Sequence, residues 1–259
     1  MTTYCNIGTL LIDQPKGSFM IIIPARIGSS RFPNKVLADI GGIPMVIRTA
    51  MRVAPIDDVA IATDSQEVID IADSYSIKAI LTSTRHQSGT DRIFEASQKL
   101  NLGDSEIIIN VQGDEPFIEP EVVQAIYSLS QKNSNNPKIM MNSAYKIINN
   151  PEADDPNIVK VLTDHNDIAL YFSRAKIPYP RDHHFDHYKG HLGIYGFTMR
   201  SLREFCSLDV APLEDIEKLE QLRTLYYGYD IAMVEVETES FGIDTIEDLD
   251  RALEYQKLL

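Results

Sequence analysis

The chain has 259 residues, 44% hydrophobic and 24% charged, which suits one large or two small soluble domains. A net charge of -14 argues against wholesale binding to nucleic acid or to an anionic membrane. No apolar run reaches the ~20 residues of a membrane span, no basic-then-apolar leader opens the chain, and its two distant cysteines, Cys5 and Cys206, form no zinc pattern; a cytoplasmic protein with reduced thiols is expected.

Residues 1–19 read as an extension without an assigned role, and residues 20–259 as a single domain. An isoleucine-rich run at 19–23 is the first strand. Helical spacing of Met45, Val46, Thr49 and Val53 predicts a helix over 44–53, with Pro44 in its first turn. A strand is expected at 58–62, then a helix through residue 75 capped by Asp64. A strand at 77–81, a helix at 91–100, the apolar run EIIINV at 106–111 and a helix at 119–131 follow, the last with Val122, Val123, Ile126 and Leu129 inward. Alternating strands and helices imply an α/β fold, a mostly parallel sheet covered by helices on both faces. In such folds sites lie at the carboxyl ends of the strands.

The second half is less regular. Strands are expected at 138–147, 158–162, 169–174 and 191–197, making an additional smaller β layer. A Pro- and His-rich loop separates the last two. Leu213, Ile216, Leu219, Leu222 and Leu225 or Tyr226 form an apolar stripe that predicts one helix over 212–227, ended by Gly228. A last strand at 231–236 precedes GIDTIEDL, in which Thr245 and Asp248 have the spacing of a capping box.

The loop after the first strand carries Arg26, Arg31 and Lys35 in a window, residues 14–38, that lacks any acidic residue, although the chain has 38 of them. Cations on a tight loop at a strand end suit a polyphosphate, yet neither GxxxxGK[ST] nor GxGxxG is present. Gln112 and Asp114 follow the fourth strand and reach the same edge. Asp114 with Asp244 supplies the one or two carboxylates that Mg²⁺ takes, provided the two meet in space. His183, His184, His187 and His191 lie among Pro178, Pro180, Gly190 and Gly193, which argue against a helical zinc site and leave His191, at a strand start, as the one to follow. Glu220 and Gln221 interrupt the flank of the apolar stripe, as a solvated or dimer-facing edge or as partners for substrate hydroxyls.

The segments IIIPARIGSSRFPNK (21–35), SGTDR (88–92), NVQGDEP (110–116), ALYFSRAKIP (169–178), HLGIYG (191–196), IEKLEQLR (216–223) and GIDTIEDL (242–249) occur in that order. Together they closely resemble the 3-deoxy-manno-octulosonate cytidylyltransferases, or CMP-Kdo synthetases, from about residue 20 onward. The resemblance implies a Rossmann-like nucleotidyltransferase fold, a homodimer, CTP and Kdo as substrates, and Mg²⁺. It implies Arg26 and Lys35 at the CTP phosphates, Ser88 by the cytidine, and Asp114 and Asp244 on the metal. Arg31, Arg92, Gln112, Arg174, His191, Tyr195, Glu220 and Gln221 would form the sugar pocket. The same motifs leave an 8-amino analogue of the sugar open, and an inactive nucleotide-sugar binding module is the non-enzyme alternative. No side chain stands out as a general base for the sugar hydroxyl. Asn34 stands where many relatives have glycine and Asp91 where many have glutamate. Asparagine tolerates a left-handed backbone best among non-glycine residues, so the loop is expected to survive the first change.

Overall fold

The computed structural model of the protein describes residues 17–28, 32–86, 88–182 and 185–257. Arg31, His183, His184, Cys5 and residues 1–16 lie outside them. The first half runs β1 (Met20–Ala25), a 3-10 turn (Lys35–Leu37), α1 (Met45–Val53), β2 (Asp58–Thr63), α2 (Gln66–Ser74), β3 (Lys78–Leu81), α3 (Gly89–Lys99), β4 (Ile107–Asn110) and α4 (Pro120–Asn133). The second half adds β5 (Ile139–Ile148), α5 (Asn150–Asp154), β6 (Lys160–Thr163), β7 (Ala169–Ser173), β8 (Tyr188–Thr198) and α6 (Met199–Ser207). It ends with α7 (Pro212–Glu217), α8 (Gln221–Tyr226), β9 (Asp230–Glu235) and α9 (Ile246–Gln256).

The sheet order is β3-β2-β1-β4-β8-β5-β9. All its neighbours pair in parallel except β8, which runs antiparallel to both β4 and β5. The extra β element of the second half is the β6–β7 hairpin, joined to β8 at Lys160↔Gly190.

Alternation along β1 divides the core. Ile21, Ile23 and Ala25 face α1, α2 and α4, whereas Ile22 faces α3, α6 and the start of α8. Phe19, just before β1, is buried and stacks on Tyr127 at 4.2 Å. The Asp57 carboxylate accepts the N–H groups of Gly17, Ser18 and Phe19, which anchors the chain where it enters the sheet.

Three local expectations change. Asp64 does not cap α2: Ser65 holds the N-cap position, and the Asp64 carboxylate turns to Ile27 N and Arg92 instead. In α4, Tyr127 and Ser130 are buried and Leu129 only partly so. The single helix over 212–227 is two helices, because Lys218 adopts a left-handed conformation (φ 54°). Leu213 and Ile216 are left exposed; Leu219 and Leu222 alone of the first four stripe positions are buried. The break is held from inside. Arg223 donates to both oxygens of Glu214, at 2.8 and 2.6 Å, with both side chains nearly buried, and its guanidinium lies over Phe205. A bidentate pair of this kind satisfies two charges that could not otherwise be buried.

Candidate functional site

Asn34, immediately before the 3-10 turn, is left-handed (φ 56°, ψ 25°), as its chemistry allows. The turn lifts Lys35 toward the carboxyl edge of the sheet, where its ammonium meets two carboxylates. Lys35 Nζ lies 2.5 Å from Asp114 Oδ2 and 2.8 Å from Asp244 Oδ1. The two aspartates, far apart in sequence, therefore converge on one cationic atom. The Lys35 side chain is 13% exposed, that of Asp114 27% and that of Asp244 50%. Burial alone would depress the ammonium pKa, but Asp114 and then Asp244 more than offset this and hold it above its ordinary value.

The packing that brings the aspartates together is continuous. Ile243 N donates to the Asp114 carbonyl at 3.0 Å. Ser240 Oγ donates to Glu115, and Thr238 Oγ1 and Glu239 N donate to Glu119. Burial, with the Asp114 charge second, pushes the Glu115 carboxyl up to about 7. Behind this seam, Phe117, Ile40, Met45 and Ile243 form an apolar cluster with Ala252 of α9, and Tyr255 meets Phe117 edge-on at 5.0 Å. Gly113 lets two backbones approach closely: a Cβ there would lie 3.0 Å from the Pro24 carbonyl of β1, tighter than an ordinary contact.

A second polar group lines β8 and the start of α8. Tyr195 OH donates to Gln221 Oε1 at 3.3 Å, and Gln221 Nε2 lies 3.5 Å from His191 Nδ1. His191 Nε2 is 3.0 Å from Ser143 Oγ. Part of His191 stays solvent-accessible, yet the protein packed round its ring pushes the imidazole pKa down to about 3. Burial, with Glu220 second, raises the Tyr195 phenol. Glu220 itself is raised by burial, against the opposing effect of a hydrogen bond from Thr90 Oγ1 at 2.6 Å. Gln112 Nε2 reaches the Gly193 carbonyl at 3.1 Å, which links the Asp114 turn to this group.

The remaining sites are placed individually. Arg26 is exposed just past β1. Ser88 is the N-cap of α3 and accepts from Asp91 N. Arg92 is buried, with its guanidinium on Asp64 at 2.8 Å and Thr82 Oγ1 at 2.6 Å. Arg174 donates to the backbone carbonyls of Glu217 and Pro156. His187 is exposed on its loop. Among the described residues no group of three or more His, Cys, Asp or Glu could hold a metal, and no helix is long and apolar enough to cross a membrane. A cation held here has two protein carboxylates and draws its other ligands from elsewhere, which is how Mg²⁺ is commonly bound.

Four partners escape a reading of the sequence: Asp64 on Arg92, Thr90 on Glu220, Glu214 on Arg223 and Ser143 on His191. Thr90 lies inside SGTDR, and Ser143 is marked only by a polar Asn-Ser pair within a mostly apolar strand.

A family model described as cytidylyltransferase matches residues 20–231. A 3-deoxy-manno-octulosonate cytidylyltransferase of a Nitratiruptor species is 57% identical over 230 residues, covering 89% of this chain and 96% of that protein. One from Wolinella succinogenes is 53% identical over 239 residues, covering 90% and 98%. A solved CMP:2-keto-3-deoxy-manno-octonic acid synthetase complexed with CTP superposes with a TM-score of 0.84 at 37% identity, covering 93% of this chain and 99% of that one. The chain belongs to the cytidylyltransferase family, among the 3-deoxy-manno-octulosonate cytidylyltransferases.

Proposed function

We propose that the protein transfers CMP from CTP to the anomeric hydroxyl of 3-deoxy-D-manno-octulosonate, releasing pyrophosphate and giving CMP-Kdo for lipopolysaccharide synthesis. The observation that carries this reading is the convergence of Asp114 and Asp244 on one cationic atom at the carboxyl edge of the sheet. The names of its relatives support the choice of nucleotide and sugar.

Asp114 and Asp244 fit Mg²⁺ as a pair of oxygen donors and would hold it. Bound there, it would supply positive charge that neutralises the phosphates. Lys35 and Arg26 attract and orient the triphosphate, and Ser88 lies by the cytidine. Gln112, His191, Tyr195, Glu220 and Gln221 face the sugar hydroxyls, and Arg31, Arg92 and Arg174 favour the sugar carboxylate. The anomeric oxygen attacks the α-phosphorus in line, forming the new P–O bond. The bond to the β-phosphate breaks, pyrophosphate departs with its electron pair, and the hydroxyl proton is lost to solvent. Catalysis is then chiefly alignment and charge stabilisation. The enzyme acts as a homodimer in the cytoplasm.

Pyrophosphate release across CTP, UTP and several sugar acids tests the assignment. Turnover should require CTP, Kdo and Mg²⁺ together. Faster turnover with UTP, sialic acid or the 8-amino sugar would replace the substrate named here.

A further inference from the structure

His191 and Tyr195 are four residues apart on β8. On a regular strand that spacing separates them by about 13 Å. Their rings nevertheless lie 5.6 Å apart, centroid to centroid. The register explains the contraction: Ser143 of β5 pairs with Tyr195, but the next residue, Ala144, pairs with Leu192. Gly193 and Ile194 are extra on β8, and the strand folds in upon itself between the two rings. Bulges of this kind re-aim side chains beside functional sites.

Something must hold the bulge, because its carbonyls have left the ladder. Gln112 takes the Gly193 carbonyl. Ser143 Oγ, fully buried, lies 2.8 Å from the Ile194 carbonyl, 3.2 Å from the Leu192 carbonyl and 3.0 Å from His191 Nε2. A hydroxyl has one proton to give, and both carbonyls accept only. If that proton went to His191, the oxygen would face two carbonyls with lone pairs alone. Given to Ile194, it leaves the oxygen free to accept from a protonated Nε2. His191 Nδ1 is then an acceptor for Gln221 Nε2, which turns Gln221 Oε1 toward the Tyr195 hydroxyl. The proton directions agree along the whole chain, from Tyr195 through Gln221 and His191 to Ser143 and the Ile194 carbonyl. The His191 backbone is fixed separately, its N–H on the Val159 carbonyl at 2.8 Å.

We propose that Ser143 is a positioning residue for the sugar side of the site: its hydroxyl closes the β8 bulge and holds His191 as the neutral Nε2–H tautomer, which sets the donor and acceptor directions of Gln221 and Tyr195. Tyr195 then presents oxygen lone pairs, and Gln221 its second amide hydrogen, to a polyhydroxylated ligand. A site wired in this way discriminates through its polar groups, since a mismatched ligand leaves them unpaired. The ligand half of this inference rests on the assignment of Kdo above; the tautomer half does not.

The test uses the full chain labelled with ¹⁵N-histidine, the His191 signals being identified by their loss in His191→Asn. Long-range ¹H–¹⁵N spectra of the wild type should show a protonated Nε2 and an unprotonated Nδ1. An Nδ1–H tautomer or an imidazolium at neutral pH overturns the proposal whatever the variants do. In Ser143→Ala the tautomer preference should be lost and the KM for Kdo should rise about tenfold, the worth of roughly one hydrogen bond, with the KM for CTP changed less than about twofold. Ser143→Thr, which keeps the hydroxyl, should restore both. A Ser143→Ala protein with wild-type tautomer and wild-type Kdo KM refutes the positioning role. A wild-type protein with the expected tautomer but no turnover of Kdo removes the substrate assignment and leaves the Ser143–His191 linkage standing.

Discussion

Replacing Lys35 with methionine removes the cation that joins Asp114 to Asp244 while keeping the length and flexibility of the side chain. At 2.5 and 2.8 Å the two attractions are large in raw Coulomb terms. They must be discounted: Asp244 is half exposed, so its pairing is worth about 1 kcal/mol or less. Asp114 is about a quarter exposed and its pairing with a nearly buried ammonium is worth about 1–2 kcal/mol. Removing the ammonium also leaves two carboxylates repelling each other across its former position. Without divalent ions, Lys35→Met should therefore lower stability by about 2–3 kcal/mol, or roughly 5–10 °C in Tm for a domain of this size.

The same geometry predicts the response to metal. An ammonium and a divalent ion compete for the same oxygens, so the variant should bind Mg²⁺ more tightly than the wild type. Ligand binding raises stability in proportion to the logarithm of ligand concentration over Kd. Scanning calorimetry in EDTA and in millimolar Mg²⁺ should show the variant gaining several degrees more than the wild type. Its turnover should nevertheless fall about 30- to 1,000-fold, as when one positioned electrostatic group is removed. Equal Mg²⁺ shifts in the two proteins, or an unchanged Tm in EDTA, would refute the idea that Lys35 occupies the metal's carboxylates.

Asp114→Ala and Asp244→Ala should each abolish turnover and keep a cooperative melt; near-normal activity at saturating Mg²⁺ removes that residue from the ligand set. Glu214→Gln strands the buried Arg223 guanidinium and should cost about 3–5 kcal/mol in urea denaturation, whereas Glu214→Leu with Arg223→Met should recover most of it. His191 titrates near 3 when folded and near 6.5 when unfolded, so the unfolded state binds the extra proton between those values. Its contribution is complete above pH 6.5 and is lost as pH falls, by about 2 kcal/mol from pH 7 to pH 5. The difference in stability between wild type and His191→Asn should carry that slope, and a pH-independent difference would show that the ring is not held neutral.

The first half of the fold is legible because each of its elements announces itself locally. The β1 isoleucines and the α1 apolar spacing reappear where their patterns put them, and in the second half so does the Thr245–Asp248 capping box. The tolerance of Asn34 for a left-handed backbone was equally readable. What escapes depends on partners distant in sequence. The apolar stripe runs unbroken through Lys218, and only the Glu214–Arg223 pair and the left-handed Lys218 reveal two helices. That break sets Glu220 and Gln221 at the start of α8, within reach of Thr90 and Tyr195. Asp64 looked like a helix cap because such residues precede helices, but a buried guanidinium outcompetes a cap for its carboxylate. The β8 bulge has no local signature beyond Gly193, since a change of register is a property of two strands.

The acid-free loop now has a physical account. A carboxylate within residues 14–38 would be tethered close to Lys35 and would remain its partner whatever else arrived. The acids that do meet Lys35 come instead from two other elements, the turn after β4 and the turn before α9, and are joined to each other by the Ile243–Asp114 backbone bond and the Glu115 and Glu119 contacts. The carboxylate pair is thus rigid with respect to itself and separable from the cation. On the function proposed above, a divalent ion would take the two aspartates and leave the ammonium free for an anion. An acidic protein keeps this loop cation by neutralising it with charges that are close in space and independent in the chain.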